Sequence, residues 1–225
     1  METISFSLLE LFRMGGFFMW PLLFFSVAVI AISLERAIYL GYHNLRMDDM
    51  GEVLSSCIRE GDLDRGREYL NPLVKRRMGA RILLTLIDRA SLGEHRMERA
   101  VESQALSCVN SLENGLNFLT ALGSISPLTG FLGTVSGMIG AFKSIAEATE
   151  VNAQIVANGI YEALITTVFG LIIAIIAMVF HSVFSHIVDT FSANVEQTCS
   201  ELITEMTVPQ SGKSQIREMR LHDDH

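Results

Sequence analysis

Three long apolar runs in this 225-residue chain contain no aspartate, lysine or arginine, and only one carboxylate, Glu162. The runs cover residues 17–34, 116–142 and 159–184. There is no glycine-rich phosphate loop, no nucleophile elbow and no internal repeat. Nothing therefore points to nucleotide hydrolysis, acyl transfer or a solenoid. The three cysteines, Cys57, Cys108 and Cys199, are odd in number and widely spaced. That argues against a disulfide framework or a metal site and leaves them as reduced structural residues.

What is present is apolar and bunched. Apolar residues make up 49% of the chain, and the mean hydropathy is +0.36. Each run approaches or exceeds the roughly 20 residues needed to cross a hydrocarbon layer of about 30 Å. The expectation is an all-α integral membrane protein with three transmembrane helices. A polar helical module at residues 35–115 separates the first span from the other two.

Charge orients this plan. The net charge is -8, yet of the 17 Lys and Arg residues all but five lie between Glu35 and Gly115. Arg13 alone precedes the first span, and Lys143 alone lies between the second and third. The positive-inside bias then places residues 35–115 and 185–225 in the cytoplasm, with 1–16 and 143–158 outside. No small-residue cleavage motif follows the first run, which ends in Leu34-Glu35-Arg36, so it is read as an uncleaved anchor. Residues 3–14 suit a short interfacial helix on the outer surface.

In the polar module, Gly51, Gly61, Gly66, Gly79 and Gly93 read as punctuation between short helices. Asp62, after Glu60-Gly61, has the place of a helix N-cap. From Glu94, residues Met97, Val101, Cys108, Leu112 and Leu119 recur at helical spacing. Nothing evident interrupts them before Gly115, so one helix is expected from Glu94 to Phe142. At 1.5 Å per residue it would be about 70 Å long and would pack its apolar stripe on copies of itself. After the third span, Ile187, Phe191, Val195 and Leu202 mark an amphipathic continuation that Pro209 ends. The last residues have the composition of a disordered tail.

Two threonines stand out. Thr134 lies eight residues before Phe142, and Thr167 eight residues after Gly159. Eight residues rise about 12 Å, so the two fall at one depth on antiparallel neighbours. Repeated around an axis they would form a ring of hydroxyls; the plainer alternative is bonding to nearby backbone carbonyls. Glu162 lies one turn from Thr166 and Thr167. A carboxylate at such depth usually faces a cavity or a partner, or else snorkels to the interface. Small residues form stripes for close helix packing: Thr129, Gly133, Gly137 and Ala141, and Ala163, Thr167, Gly170, Ala174 and Ala177. Pro127 is expected to kink the second span at Gly123. His181 could offer a relay group near the end of the third span, but a packed or interfacial histidine is the plainer reading. A proton carrier needs a titrating midplane group, and here a second polypeptide would have to supply it.

Three segments together resemble the MotA/TolQ/ExbB proton channel family, and its TolQ/ExbB branch in particular. These are Gly16-Phe17-Phe18-Met19-Trp20-Pro21-Leu22; Pro127-Leu128-Thr129-Gly130-Phe131-Leu132-Gly133-Thr134-Val135 with Gly137-Met138-Ile139; and Gly159-Ile160, Glu162-Ala163-Leu164, Thr167 and Gly170-Leu171. One departure is Ile176, where the family commonly has proline. The resemblance implies a homopentamer around a dimer of single-span ExbD/TolR-like partners, whose membrane aspartate faces hydroxyls matching Thr134 and Thr167. It implies a proton-channel subunit of an inner-membrane energy-transducing complex, serving a periplasmic or outer-membrane process such as TonB-dependent transport through a TonB/TolA-like protein. Neither a cofactor nor a metal, a nucleic acid or an enzymatic reaction is implied. The alternatives are a non-conducting membrane scaffold and a stand-alone small-solute channel.

Overall fold

The computed structural model describes residue 12 and residues 15–147 and 153–207, and their regular structure is helical throughout. Seven α-helices follow in order: α1 (Met19–Tyr42), α2 (Asp48–Glu60), α3 (Leu63–Leu70), α4 (Met78–Arg89), α5 (Glu94–Glu113), α6 (Leu116–Glu147) and α7 (Ala153–Thr207). A single 3-10 turn at Ala90–Leu92 links α4 and α5. The chain divides into two compact units, Met1–Ala37 with Gly115–Ser185 and Ile38–Asn114 with His186–His225. The expected interfacial helix at 3–14 lies almost wholly outside the described residues, as do Pro209 and the tail.

The first unit contains most of α1, all of α6 and the first part of α7. These three helices are long and apolar enough to cross a membrane. Leu22, Val29, Ser33 and Arg36 form the buried seam of α1, while Leu23, Phe24, Val27, Ile30 and Leu34 are exposed. A helix that is apolar on its outer face as well as its inner one suits hydrocarbon rather than water. The helices exceed the expected spans. α6 runs through Pro127 to Glu147, and α7 begins at Ala153. The loop expected at 143–158 is thus helical at both ends among the described residues.

In the second unit the expected boundary at Glu60 holds in atomic detail. Gly61 adopts φ +76°, and the Gly61 and Asp62 N–H groups donate to Ile58 O and Cys57 O, a Schellman-type ending. Asp62 then caps α3, its Oδ1 accepting from the Arg65 N–H at 3.0 Å. Gly93 is likewise a true break, at φ +84°. Gly51, Gly66 and Gly79 are not punctuation; each lies inside a helix. A Cβ on Gly51 would sit 2.9 Å from Thr198 Cγ2, one on Gly66 would sit 3.0 Å from Leu54 Cδ1, and one on Gly79 would collide with Met47. These glycines let helices approach, a demand set by packing partners distant in sequence.

The single helix expected from Glu94 to Phe142 is also corrected. α5 ends at Glu113, Asn114 turns to ψ 128°, and Gly115 takes φ +90° before α6 starts. That φ suits glycine, because a Cβ there would crowd its own backbone. The stripe expected to pack on other copies is already covered within the chain, with Met97, Val101, Cys108 and Leu112 at 4% exposure or less. α5 packs on α4, whose Ile82, Leu83 and Leu86 are fully buried. On the later part of α7 the inward residues are Val188, Phe191, Val195, Cys199 and Leu202, whereas Ile187 is exposed.

Candidate functional site

The site lies where α6 and α7 meet. Their contact face is made of backbone and very small side chains. A Cβ on Gly130 would lie 2.8 Å from Thr166 O and 3.0 Å from Thr167 Cα, and one on Gly170 would lie 2.6 Å from Ser126 O. A Cβ on Gly137 would meet the Ala163 Cβ at 3.0 Å, and one on Gly159 would meet the Ala141 Cβ at 2.6 Å. Without side chains at these positions the backbones touch, which is the small-residue packing typical of helices in lipid. The α7 stripe of Ala163, Gly170, Ala174 and Ala177 is buried as its spacing foretold. On α6 the expected Gly133, Gly137 and Ala141 do meet α7, but Thr129 stays half-buried and donates to Ile125 O at 3.0 Å, and the buried face also takes in Gly123, Ser126 and Gly130.

Such close approach brings the hydroxyls of Thr134 and Thr167 into direct hydrogen-bond contact. Thr134 Oγ1 also reaches Ala163 O at 3.1 Å and Gly130 O at 3.3 Å. Thr167 Oγ1 reaches Gly130 O at 3.1 Å. Both residues are only part-buried, so the pair has an open side. Thr166, one position before, is the hydroxyl that is sealed in. It is 1% exposed and donates to Ala163 O at 2.8 Å or Gly130 O at 3.2 Å. Its part in packing could have been anticipated only from the opposed Gly130 and Gly133, where a Cβ on Gly133 would lie 2.5 Å from the Thr166 Oγ1.

Pro127 lies within α6 without ending it. Having no N–H, it leaves the Gly123 carbonyl without its usual helical donor. One residue earlier, Ser126 Oγ donates to Leu122 O at 2.6 Å.

Glu162 lines a cavity of about 560 Å³ with Phe17, Phe18, Gly133, Ser136 and Ser144 among its neighbours. Gly16, at φ +64°, lies against the glutamate so closely that a Cβ there would strike the carboxylate. Gly133, next to Thr134 in sequence, forms part of the cavity wall. Glu162 and the threonine pair therefore share one neighbourhood, one helical turn apart on α7. Among the described residues Glu162 has no ion-pair partner, and no cluster of metal-binding side chains occurs.

At the other end of this unit, Arg36 marks in the sequence only the polar end of the first apolar run. The structure gives it a packing role. Arg36 is 8% exposed, donates twice to Glu35 at 2.5 and 2.8 Å, and lies against Gly115, whose added Cβ would meet the guanidinium Nε at 3.3 Å.

Comparison with known proteins agrees with this architecture. Residues 68–197 match the model of the MotA/TolQ/ExbB proton channel family. The chain is 30% identical over 184 residues to the biopolymer transport protein ExbB-like 3 of Synechocystis, covering 76% of this chain and 81% of that one. It is 39% identical over 99 residues to the Tol-Pal system protein TolQ of Haemophilus influenzae, covering 44% and 42%. It is 35% identical over 89 residues to the biopolymer transport protein ExbB of Salmonella typhimurium, covering 40% and 36%. With three membrane-length helices and a matching segment that contains both threonines and Glu162, this membrane protein belongs to the MotA/TolQ/ExbB proton channel family.

Proposed function

We propose that this chain is the proton-conducting subunit of an inner-membrane energy-transducing complex, with Thr134 and Thr167 lining the path and Glu162 as its entry or relay group. The observation that supports this most is the paired hydroxyls, part-buried on α6 and α7, one turn from the sole carboxylate of the three spans. The N-terminus and residues 143–158 face outward, and the polar module and the C-terminus face the cytoplasm. Glu162 then stands at the outer end and Arg36 at the inner end.

The spans offer hydroxyls and one outer carboxylate but no midplane acid. The missing acid comes from a partner. Five copies of this chain surround a dimer of single-span ExbD/TolR-like helices, each presenting a membrane aspartate to the threonine pairs. Protons moving inward release about 2.3 kcal/mol per charge per 100 mV, which a TonB/TolA-like protein carries to a periplasmic or outer-membrane process.

The test is proton flux in liposomes carrying the chain with its partner. Thr134→Val and Thr167→Val should each lower flux at least tenfold with assembly intact, while the serine variants retain it. Intact flux in the valine variants removes the two threonines from the path, and absence of flux in the wild-type complex leaves a non-conducting scaffold. Conduction by this chain alone replaces it with a stand-alone channel. Subunit counting of the purified complex checks the five-to-two arrangement.

A further inference from the structure

Many helical hydroxyls in this chain share one habit. Thr85, Ser111, Ser124, Ser126, Thr129 and Ser144 each donate to the carbonyl four residues earlier. Ser33 in α1 departs from it. The residue is 3% exposed, and its Oγ is the one buried side-chain N or O atom among the described residues without a hydrogen-bond partner. A free rotation would have given it the carbonyl of Val29. A buried hydroxyl turned from that acceptor forfeits free energy unless something polar meets it, and inside proteins that something is most often water.

Contacts at the two ends of α1 locate Ser33. Gly16 lies against Glu162 of α7, and Arg36 lies against Gly115 at the start of α6. Gly123 of α6 faces Ala177 and Met178 of α7. Counting along the helices from these contacts at equal rise places Ser33 level with residues 179–183. That stretch holds half-buried His181, which the proposed path through Thr134 and Thr167 leaves unused. One turn further along α1 the Arg36 cation is matched by Glu35, so the pair adds no net charge to the level below. On the other side Val29 is 1% exposed and apolar.

We infer that Ser33 holds an internal water at the inner end of the first unit, and that this water, at the level of His181, forms the last step by which protons leave toward the cytoplasm. The inference rests on the proposed channel function. A hydroxyl that both donates and accepts suits a water relay, and the imidazole at the same level offers ring nitrogens for the next hydrogen bond.

Three measurements on the full chain with its partner test it. In Ser33→Cys, a small thiol reagent applied from the cytoplasmic side should label at least tenfold faster than in Val29→Cys, against a low background because Cys57, Cys108 and Cys199 are buried. Equal labelling overturns the hydrated site. Ser33→Ala should leave the thermal midpoint unchanged or lower it; a raised midpoint means that a dry, unsatisfied hydroxyl was removed, and overturns it too. Ser33→Val should lower proton flux at least fivefold, with Ser33→Thr near wild type; unchanged flux in Ser33→Val overturns the exit role. Thr134→Val in the same assay separates the two proposals. If it abolishes flux while Ser33→Val does not, only the exit falls. If neither affects flux, the channel reading falls with it.

Discussion

Thr134 and Thr167 share the Gly130 carbonyl as well as a bond to each other. Each hydroxyl has one proton to give, and Gly130 O and Ala163 O stand within reach of the pair. When Thr134 donates to Ala163 O, Thr167 can donate to Thr134 Oγ1 or to Gly130 O. The direction of the bond between them can reverse by rotation of hydroxyl protons alone. A pair of this kind can accept from an approaching acid and donate to its conjugate base without moving a heavy atom.

The two hydroxyls should behave as one unit. The double variant Thr134→Val/Thr167→Val is expected to lose about as much proton flux as either single variant, a non-additivity that a double-mutant cycle measures. Additive losses would mean that the threonines act separately.

The same geometry makes the glycines opposite them strict. A methyl group on Gly130 or Gly170 meets backbone atoms that cannot rotate aside. Gly130→Ala and Gly170→Ala should each cost about 1–3 kcal/mol, read as a lower thermal midpoint in detergent. Both should also lower flux, because a wider α6–α7 spacing parts the hydroxyls. Gly140 has open space around its Cβ position, and Gly140→Ala is the control expected to keep the midpoint.

Gly115 serves two demands at once, φ +90° and the neighbouring Arg36 side chain. Gly115→Ala should destabilise by about 1–2 kcal/mol through the backbone term alone. Arg36→Lys should lower the midpoint as well, since an ammonium cannot reproduce the two-point bond to Glu35. Thermal unfolding of the two variants checks both.

Burial pushes the Cys199 thiol from 9.0 up to about 12. The folded state favours the neutral thiol, so the associated stability is whole below pH 9 and is lost as pH rises from 9 toward 12. The full difference is about 4 kcal/mol at most. Alkaline unfolding followed by circular dichroism should steepen over that window, and Cys199→Ala should flatten it. At pH 8 Cys199 should resist alkylation until the protein unfolds.

Much of this protein is written in local sequence. The apolar runs specify three membrane-length helices because hydrocarbon thickness fixes how many residues must be apolar. Glu60-Gly61-Asp62 encodes one helix ending and the next beginning, since both caps use atoms a few residues apart. The common depth of Thr134 and Thr167 follows from helical rise counted from the span ends. The Asn114–Gly115 break was missed because the apolar spacing continues across it; the requirement for φ +90° leaves no trace in periodicity.

Helix packing decided the rest. A four-residue stripe on α6 suggested Thr129 with Gly133, Gly137 and Ala141, yet the face that meets α7 takes Gly130 in place of Thr129, because the partner helix selects the face. Gly51, Gly66 and Gly79 look the same in sequence as Gly61 and Gly93, but only contact with Thr198, Leu54 or Met47 distinguishes a packing glycine from a turn. The burial of Arg36 and the unmatched hydroxyl of Ser33 likewise depend on what lies across from α1. By itself the sequence determined three membrane-length helices, the Glu60–Asp62 boundary and the level of the two hydroxyls, since each follows from rise per residue and local hydrogen bonding. Only the tertiary structure decided which faces meet, because that depends on side chains that separate helices bring together, as with Gly130 and Thr166 or Gly51 and Thr198.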